Sequence, residues 1–377
     1  MQRYSIDPDI RVAATLPGKF YTDSDVLAAA RERVFPGSWQ PIGDSAHVRE
    51  PSTAWPVTLL EGCLDEPLLV TRDAGGKLHG LSNVCTHRGA ILVNEPCRRT
   101  SLTCAYHGRR FELNGKLKSA PEFEAALDFP RASDDLARVE LATLGPLVFA
   151  ALRPNTPFAE LIAPLAERLH WIPFDEFEFA PDRSRDYVVH ANWALYLDNF
   201  LEGFHIPFVH PTLNAALAFE QYATELYPNG SVQLGLAKDG ELAFDPPPGS
   251  ADHGQRIAGY YWWFFPNWMI NVYPWGLSMN VVQPLAIDRT RVAFWTYVWR
   301  ADLLDRGAGS GLHQVELEDE DVVHSVQRGV RSRSYDRGRY SPTREQGVHH
   351  FHRMLLERLT LDRPLGSHGE TAGASPR

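Results

Sequence analysis

Two short pairs of Cys and His are the residues of this chain best suited to chemistry. Cys85 and His87 form a C-x-H pair. After sixteen intervening residues, Cys104 and His107 form a C-x-x-H pair. In a two-iron, two-sulfide cluster, thiolates suit one iron and neutral imidazoles suit the other, and the imidazoles raise the reduction potential relative to four thiolates. The pattern therefore predicts a [2Fe-2S] cluster that carries electrons.

A structural zinc ion is the main alternative, since zinc also binds two Cys and two His in a tetrahedron. Zinc-finger spacings usually pair Cys with Cys and His with His, whereas each pair here mixes the two types. Gly89 and Gly108 follow closely after the two His residues. Glycine lets loops approach closely and point backbone N–H groups at cluster sulfurs. These features favour the histidine-ligated cluster of the Rieske type over zinc.

The composition predicts a globular protein of two domains. The chain has 377 residues, of which 44% are hydrophobic and 22% charged, and this is enough for two separate cores. A nucleic-acid partner would require a basic face, and the formal charge of -10 argues against one.

Further features predict a cytoplasmic protein without a membrane segment. Residues 1–8 lack the apolar stretch of a signal peptide. The most apolar run, residues 260–275, is interrupted by prolines and asparagines and fails as a membrane span. Beyond the two pairs, Cys63 and Cys97 are too few for a disulfide framework, as expected in a reducing compartment.

Local patterns predict a small β domain followed by a larger domain. Residues 24–34 have the apolar spacing of a helix. Strand-like runs separated by turn residues follow at 57–60, 67–71, 101–103, 110–113 and 147–152. We predict an N-terminal segment (1–37) packing with the second domain, a cluster domain (38–154), the second domain (155–360) and a mobile polar tail (361–377).

A second group of possible metal ligands lies in residues 192–211. Apolar and aromatic residues recur here at helical spacing, and Asn199, Glu202 and His205 lie three residues apart on another face. We expect Pro207 to end this helix, so that His210 turns back toward His205. A hydrogen-bonded packing role for a single His is the alternative. Two His and one carboxylate on one face bind non-haem iron that activates O2.

The acidic run of residues 315–323 offers the carboxylate. On a helix with about 100° per residue, Leu312, Val315, Val322, Val323, Val326 and Val330 share an apolar stripe. Asp319 falls within this stripe, whereas Glu318 and Asp321 point elsewhere and Glu316 and Glu320 lie near or beyond its edge. A lone carboxylate on an apolar face is costly unless it is paired or binds a metal. We therefore predict Asp319 as the third ligand.

With these motifs the chain resembles the α subunits of Rieske-type non-haem iron oxygenases, the ring-hydroxylating oxygenase family, over nearly its whole length. The motifs CTHRGA…CAYHG, NW…DNFLEGFHIPFVHP and ED…VQRG…Y…GRYS occur in the family's order. The resemblance implies cluster ligands and mononuclear Fe(II) ligands in two sets: Cys85, His87, Cys104 and His107, and His205, His210 and Asp319. It also implies an α+β fold, in which a Rieske β-sandwich domain is joined to a helix-grip catalytic domain with an antiparallel sheet.

The resemblance further implies a partnership between subunits. Members of the family form rings, usually trimers, and receive electrons from a reductase or ferredoxin. Glu202 matches the family's acidic bridge between the cluster of one subunit and the iron of the next. A carboxylate can accept N–H bonds from imidazoles on both sides, which fits that role. Asn199, on the same segment, is a further candidate for the site.

Two positions depart from the common family pattern. Many relatives have Trp after the cluster's His-Gly, whereas Arg109 and Arg110 follow here, a change that we expect to affect docking of the electron donor. Aromatic-ring dihydroxylases generally have Asp as the bridge, and Glu202 resembles the branch of choline, carnitine and betaine oxygenases.

The expected function is that of a terminal oxygenase that uses O2 and delivered electrons on a small organic molecule. Monohydroxylation, dihydroxylation and oxidative demethylation all remain open, and the substrates considered include aromatic compounds and quaternary amines. Aromatic residues of 260–265 and the segment 269–283 are expected to line the pocket. A Rieske electron carrier without oxygenase activity and a zinc-stabilised binding protein are the alternatives.

Overall fold

The structure, a computed structural model, describes residues 4–360. The polar tail that we expected to be mobile, residues 361–377, lies outside the described residues. In the part of the chain that is described, no helix is both long and apolar enough to cross a membrane.

The first part of the chain forms two antiparallel sheets. Its strands are β1 (Gln40–Asp44), β2 (Thr53–Leu59), β3 (Glu66–Arg72), β4 (Leu78–Ser82), β5 (Cys97–Arg98), β6 (Leu102–Thr103), β7 (Arg110–Phe111), β8 (Leu117–Ser119), β9 (Arg138–Leu144) and β10 (Leu147–Ala151). The larger sheet has the order β1-β10-β9-β4-β3-β2-β5, and β6-β7-β8 form the smaller one. The runs predicted as strands all contain strand residues.

Alternation along β3 builds the core between these sheets. Leu69 packs in one cluster with Cys85, Cys104 and Phe111, whereas its neighbours Leu68 and Val70 pack in another cluster on the opposite side. Successive strand residues point to opposite faces, so the larger sheet contributes to two cores. The cores are those of a β-sandwich, and one of them contains both Cys residues of the predicted cluster site.

The second part of the chain is a larger antiparallel sheet with helices. Its strands are β11 (Glu178–Phe179), β12 (Arg185–Val189), β13 (Ala223–Tyr227), β14 (Gly230–Leu236), β15 (Ile257–Phe264), β16 (Trp268–Tyr273), β17 (Gly276–Ala286) and β18 (Arg289–Val298). The order is β11-β18-β17-β16-β15-β14-β13, and β12 also pairs with β18. Helix α1 (Ser24–Arg33) comes from the N-terminal segment, and the helices of the second part are α2 (Phe158–Arg168), α3 (Trp193–Phe200), α4 (Ile206–Val209), α5 (Pro211–Ala216), α6 (Leu312–Gly329) and α7 (Gln346–Thr360).

The two faces of this sheet have different coverings. Tyr260, Trp262 and Phe264 of β15 pack in a cluster with α2 and with β10 of the first domain. Trp263, on the opposite face, packs in a cluster that includes residues of α1, α3 and α7. Tyr261, on that same face, lines a cavity. The alternation of strand side chains therefore separates the interdomain contact and α2 from the cavity and from α1, α3 and α7.

The fold is α+β, as predicted: a Rieske β domain and a catalytic domain with an antiparallel sheet and helices. Residues of the N-terminal segment, such as Phe20 and Leu27, share the core of α3 and α7. The buried His352 of α7 binds Asp198 of α3 at 2.7 Å, and Tyr21 donates to the same carboxylate at 2.7 Å. These contacts fix α3 against α7 and the N-terminal segment. The domain limits given above stay a prediction.

A buried ion pair joins α2 to the sheet and provides a test of the packing. Arg168 binds Asp252 at 2.7 and 2.8 Å and Glu225 of β13 at 2.7 and 2.9 Å. Arg168→Met leaves Asp252, whose side chain is 1% exposed, without this partner. We expect the free energy of unfolding in urea to fall by about 3 to 5 kcal/mol.

The matched control is Arg183→Met. Arg183 pairs with Asp305 at 2.9 Å, and both of these side chains are well exposed. Its loss should change stability by at most about 1 kcal/mol. Equal losses in the two variants would contradict the assignment of Arg168 as a buried structural cation.

Candidate metal centres

Two loops with the same backbone hydrogen-bond pattern carry the Cys–His pairs. In the first, Gly89 N–H donates to the carbonyl of Cys85 at 3.0 Å, and in the second, Gly108 N–H donates to the carbonyl of Cys104 at 3.0 Å. Both glycines have positive φ, +73° and +74°, a conformation that favours glycine. The first loop follows β4, and the second connects β6 to β7. Each loop thus turns back immediately after presenting a thiol and an imidazole.

The loops bring the four predicted cluster ligands together. The thiols of Cys85 and Cys104 are buried and lie within hydrogen-bond contact of each other. The rings of His87 and His107 have centroids 4.7 Å apart. His87 Nδ1 is buried and has no hydrogen-bond partner among the described residues. Two thiols, two imidazoles and an unpartnered buried ring nitrogen fit a [2Fe-2S] cluster with Cys on one iron and His on the other.

The two arginines after this motif have different environments. Arg110 is exposed, but Arg109 is 3% exposed and lies over the rings of Phe123 and Phe129. Arg110 is thus the one of the two that a donor could contact directly, and the expected effect on docking stays a prediction. Stacking on aromatic rings, which a planar guanidinium permits, explains the burial of Arg109.

We expected one helix here, but the segment with the His pair forms three. α3 ends at Phe200, so Glu202 lies in the turn that follows and His205 directly precedes α4. Pro207 does not end a helix; it lies in the first turn of α4, where its missing N–H is not needed. His210 lies between α4 and α5. The short helix α4, which lies between His205 and His210, rather than a proline break, brings the imidazoles together.

The two imidazoles and Asp319 of α6 form a site suited to a metal ion. One ligand atom from each of the three residues lies within 4.8 Å of the other two. The Nε2 atoms of His210 and His205 lie 3.0 and 3.5 Å from the same Asp319 oxygen, Oδ1. The rings are inclined at 78° with centroids 5.0 Å apart. This set is the two-His, one-carboxylate arrangement of non-haem iron.

Carboxylates fix the other side of each imidazole. Glu202 Oε1 lies 2.7 Å from His205 Nδ1, and its other oxygen accepts the backbone N–H groups of Phe204 and His205. Glu318 Oε2 lies 2.8 Å from His210 Nδ1. A proton on each Nδ1 leaves the Nε2 lone pairs free for a metal, and such outer acids orient metal-binding imidazoles.

Glu318 is a correction to the sequence analysis, which expected it to point away from the site. The side chains of adjacent helical residues point about 100° apart, but the His210 ring can contact two of them, one at each ring nitrogen. Its Nε2 faces Asp319 and its Nδ1 faces Glu318. Asn199, the remaining candidate, donates from Nδ2 to Asp319 Oδ1 at 2.5 Å. It therefore contacts the carboxylate that both imidazoles share.

The buried face of α6 also differs from the predicted stripe. The most buried residues are Glu316, Val323 and Gln327, whereas Val326 is 42% exposed. Glu316 accepts a hydrogen bond from the Tyr196 hydroxyl at 2.5 Å, which offsets part of the cost of burial. The apolar residues alone placed Glu316 near or beyond the edge of the stripe, because the pattern gave no sign of this partner. Leu312 and Val315 do face the cavity.

Negative charge dominates the electrostatics of the site. Burial by itself lowers the pKa of His210, but the hydrogen bonds and charges of Asp319 and Glu318 outweigh burial, and the pKa is raised. Burial raises the pKa of Glu316 well above its usual range, although the hydrogen bond from Tyr196 acts in the opposite direction. The His210 shift reflects the acids beside it, whereas the Glu316 shift comes first from burial, which favours the neutral form of that carboxyl.

A cavity of about 90 Å³ opens beside the His pair and Asp319. The aromatic part of its wall includes Tyr222, Tyr261 and Tyr273, whose rings contact one another at 6.0 and 6.3 Å. Segment 269–283 contributes Asn271, Tyr273 and Asn280, but only Tyr261 of the aromatic run 260–265 lines the cavity, fewer than the half that alternation predicts. Since a single water needs roughly 10 to 15 Å³ of such space, the cavity suits a small molecule.

Several buried polar atoms in this wall have no hydrogen-bond partner. Among the described residues, they are Gln233 Oε1, Tyr261 Oη, Asn271 Oδ1 and Glu316 Oε1. No Lys or Arg lines the cavity in the part of the chain that the structure describes. Buried polar groups are normally paired, so unpaired ones facing a cavity indicate a polar ligand. The sequence analysis missed Gln233, because no local motif marks it.

Two protein-family models match the chain. The model described as "Ring hydroxylating alpha subunit (catalytic domain)" matches residues 174–361, and the model described as "Rieske [2Fe-2S] domain" matches residues 38–136. Each match contains one of the two metal centres.

Curated relatives match over nearly the whole length. The chloroplastic choline monooxygenase of Arabidopsis thaliana is 32% identical, with 94% of this chain and 86% of the relative covered. The carnitine monooxygenase oxygenase subunit of Escherichia coli (strain K12) is 28% identical, with 92% of this chain and 94% of the relative covered.

A solved structure of a quaternary ammonium Rieske monooxygenase superposes with a TM-score of 0.73 at 23% identity, covering 93% of this chain and 96% of that chain. At this identity the likeness supports the fold alone. Together with the family matches and the two centres, the relatives place the sequence in a defined group. The chain belongs to the α subunits of Rieske non-haem iron oxygenases, in the branch of the choline and carnitine monooxygenases, and its cofactors are a [2Fe-2S] cluster and a mononuclear iron.

Proposed function

We propose that this monooxygenase oxidises a small quaternary ammonium compound that carries a hydrogen-bond donor and no carboxylate, as choline does. The observation that carries the proposal is the charge of the cavity. Glu202, Asp319 and Glu316 line it without a compensating Lys or Arg among the described residues, and a cation bound there would favour the ionised form of the Glu316 carboxyl, whose pKa burial raises. Such a wall attracts a cation and repels a substrate carboxylate.

The remaining wall supports the same class of substrate. A quaternary ammonium group is held by the faces of aromatic rings, and Tyr222, Tyr261 and Tyr273 provide three. Gln233 Oε1 can only accept a hydrogen bond, because its amide nitrogen already donates to the carbonyl of Phe200 at 2.7 Å. A hydroxyl on the substrate would satisfy such an acceptor. The small volume disfavours polycyclic aromatic compounds.

The chain's own residues prepare the site for oxygen chemistry. When bound, the mononuclear iron activates O2 with electrons that the cluster delivers. His205, His210 and Asp319 would hold this iron, and Asn199 fixes the orientation of Asp319 through its 2.5 Å hydrogen bond. The aromatic wall limits water around the reacting group. Carbon–hydrogen hydroxylation and oxidative N-demethylation are both within this chemistry, whereas dihydroxylation of an aromatic hydrocarbon finds no support in the relatives named above.

The electrons come from a separate reductase, as the kinship with an oxygenase subunit of a multicomponent system implies. Within the described residues of one chain, no hydrogen bond joins Glu202 to His107, and His107 is exposed. His107 is therefore available to a neighbouring subunit, and the Glu202 side chain, 13% exposed, is accessible in part. Homotrimeric assembly, with Glu202 bridging His107 of one subunit to His205 of the next, and a cytoplasmic location complete the proposal.

Replacing Asp319 tests the iron ligands. In Asp319→Ala the mononuclear iron should be lost, so that iron falls from about three to about two per chain while sulfide stays at about two. The cluster's absorption and EPR signals should persist, because Asp319 is not among the cluster ligands and belongs to the catalytic domain. Asp321→Asn, an exposed acid on the same helix, is the control and should keep all the iron. Retention of iron by Asp319→Ala would move the ligand to another residue.

Mixed assemblies test the route of the electron. Chains without a cluster (Cys104→Ser) and chains without mononuclear iron (Asp319→Ala) are inactive alone under the proposal. Random mixing in trimers should restore about one quarter of the activity per site, since one interface in each mixed ring joins an intact cluster to an intact iron. Adding Glu202→Gln to the iron-competent chain should abolish most of this recovery, whereas the exposed control Glu220→Gln should not. Absence of any recovery would argue for transfer within one chain.

Substrates of matched shape test whether the substrate must carry a positive charge. O2 consumption with a surrogate reductase should be coupled to product for choline, and weak for its uncharged isostere 3,3-dimethylbutan-1-ol and for the zwitterions carnitine and glycine betaine. Glu316→Gln should raise KM for the cation about tenfold, or about 1.4 kcal/mol, with little change for the isostere. Glu320→Gln, outside the cavity wall, is the control. Equal turnover of cation and isostere by the unmodified protein would overturn the proposed substrate class.

A further inference from the structure

A buried guanidinium lies directly beside the loops of the cluster site. The side chain of Arg109 is 4% exposed, although the next residue, Arg110, is exposed. The Arg109 carbonyl accepts the backbone N–H of Cys104 at 2.8 Å. Its Nη1 donates to the hydroxyl of Thr86 at 3.0 Å, and Thr86 separates Cys85 from His87. Arg109 therefore contacts both loops that carry the predicted cluster ligands.

Aromatic rings hold this guanidinium in place. It lies 4.7 Å from the ring centroid of Phe123 and 5.2 Å from that of Phe129. The Phe123 ring also packs edge-on against His87, with centroids 5.4 Å apart. One ring thus touches both the cation and a predicted iron ligand. The charge is fixed in position and sheltered from solvent, so salt screens it little.

Neighbouring groups compensate this charge only in part. The nearest carboxylate oxygen, Asp134 Oδ1, is 3.4 Å from Nη1, longer than a normal charge-assisted hydrogen bond. The other oxygen of Asp134 accepts the backbone N–H of Arg131 at 2.8 Å. Arg109 Nε is buried and has no hydrogen-bond partner among the described residues. A guanidinium cannot lose its proton in a protein, so net positive charge persists here.

We infer that Arg109 raises the reduction potential of the cluster by stabilising its reduced form. An oxidised cluster of two ferric ions, two sulfides, two thiolates and two neutral imidazoles has no net charge. One electron from the reductase gives a charge of -1, with no bond formed or broken and no proton required. A nearby buried cation attracts the reduced form and not the oxidised one. Arg109 touches no substrate, so its role is to set the electron affinity of the cluster.

The test is a redox titration of the purified protein, followed by EPR in the absence of substrate. In Arg109→Gln the ratio of reduced to oxidised cluster at a fixed potential should fall about tenfold, which is a shift of about 59 mV for one electron. Arg110→Gln removes the same charge from the adjacent exposed position and should shift the ratio less than twofold. Equal shifts in the two variants, or none in Arg109→Gln, would overturn the inference.

Two further variants separate charge from structure. Arg109→Lys keeps the charge but loses the planar stacking, and its potential should stay near that of the unmodified protein. Asp134→Asn removes the partial counter-charge and should raise the potential. This second result decides the matter even if Arg109→Gln fails to assemble a cluster, because an unchanged or lowered potential in Asp134→Asn contradicts the inference. The readout needs neither iron at the second site nor a substrate, so it is independent of the proposed function.

Discussion

The iron site depends on one carboxylate oxygen. Asp319 Oδ1 receives the amide of Asn199 and faces the Nε2 atoms of both His205 and His210. Glu202 and Glu318 contact the Nδ1 atoms of the two rings, so that each imidazole lies between two carboxyl groups. Like charges placed so close together repel, and a bound metal ion offsets that repulsion. The arrangement therefore explains why these residues form a metal site.

This arrangement requires elements that are distant in sequence to meet. α3 and the turn after it supply Asn199, Glu202 and His205, and α6 supplies Asp319 and Glu318. The shared core of α1, α3, α7 and one face of the sheet holds α3 rigidly, with the buried Asp198–His352 contact behind it. The opposite face of the sheet packs against the Rieske domain through β10. One sheet thus positions the iron site and the cluster domain at the same time.

The two metal centres lie in opposite electrostatic environments. Arg109 places buried positive charge against the Cys–His loops, whereas acids surround the His pair. A positive environment favours a centre that gains an electron, and a negative one favours a centre that holds a cation. Burial strengthens the effect of these charges, because salt screens a charge that is excluded from water only weakly. Storage of electrons and binding of the mononuclear iron are in this way assigned to different domains.

The sequence by itself determined the chemistry of both centres. The spacings of Cys85 with His87 and of Cys104 with His107 are local, and each pair needs only a tight turn, marked by Gly89 or Gly108, to become a ligand pair. The α+β fold and the family also followed from motifs contained in short segments.

Only the tertiary structure decided how the other residues serve these centres. Glu318 and Glu316 differ in their partners because α6 packs with a rotation that apolar periodicity did not reveal. Arg109 is buried rather than available to a donor, since Phe123 and Phe129 come from elsewhere in the domain to cover it. The charge of a cavity and the exposure of a side chain depend on contacts between distant segments, and no local pattern encodes them.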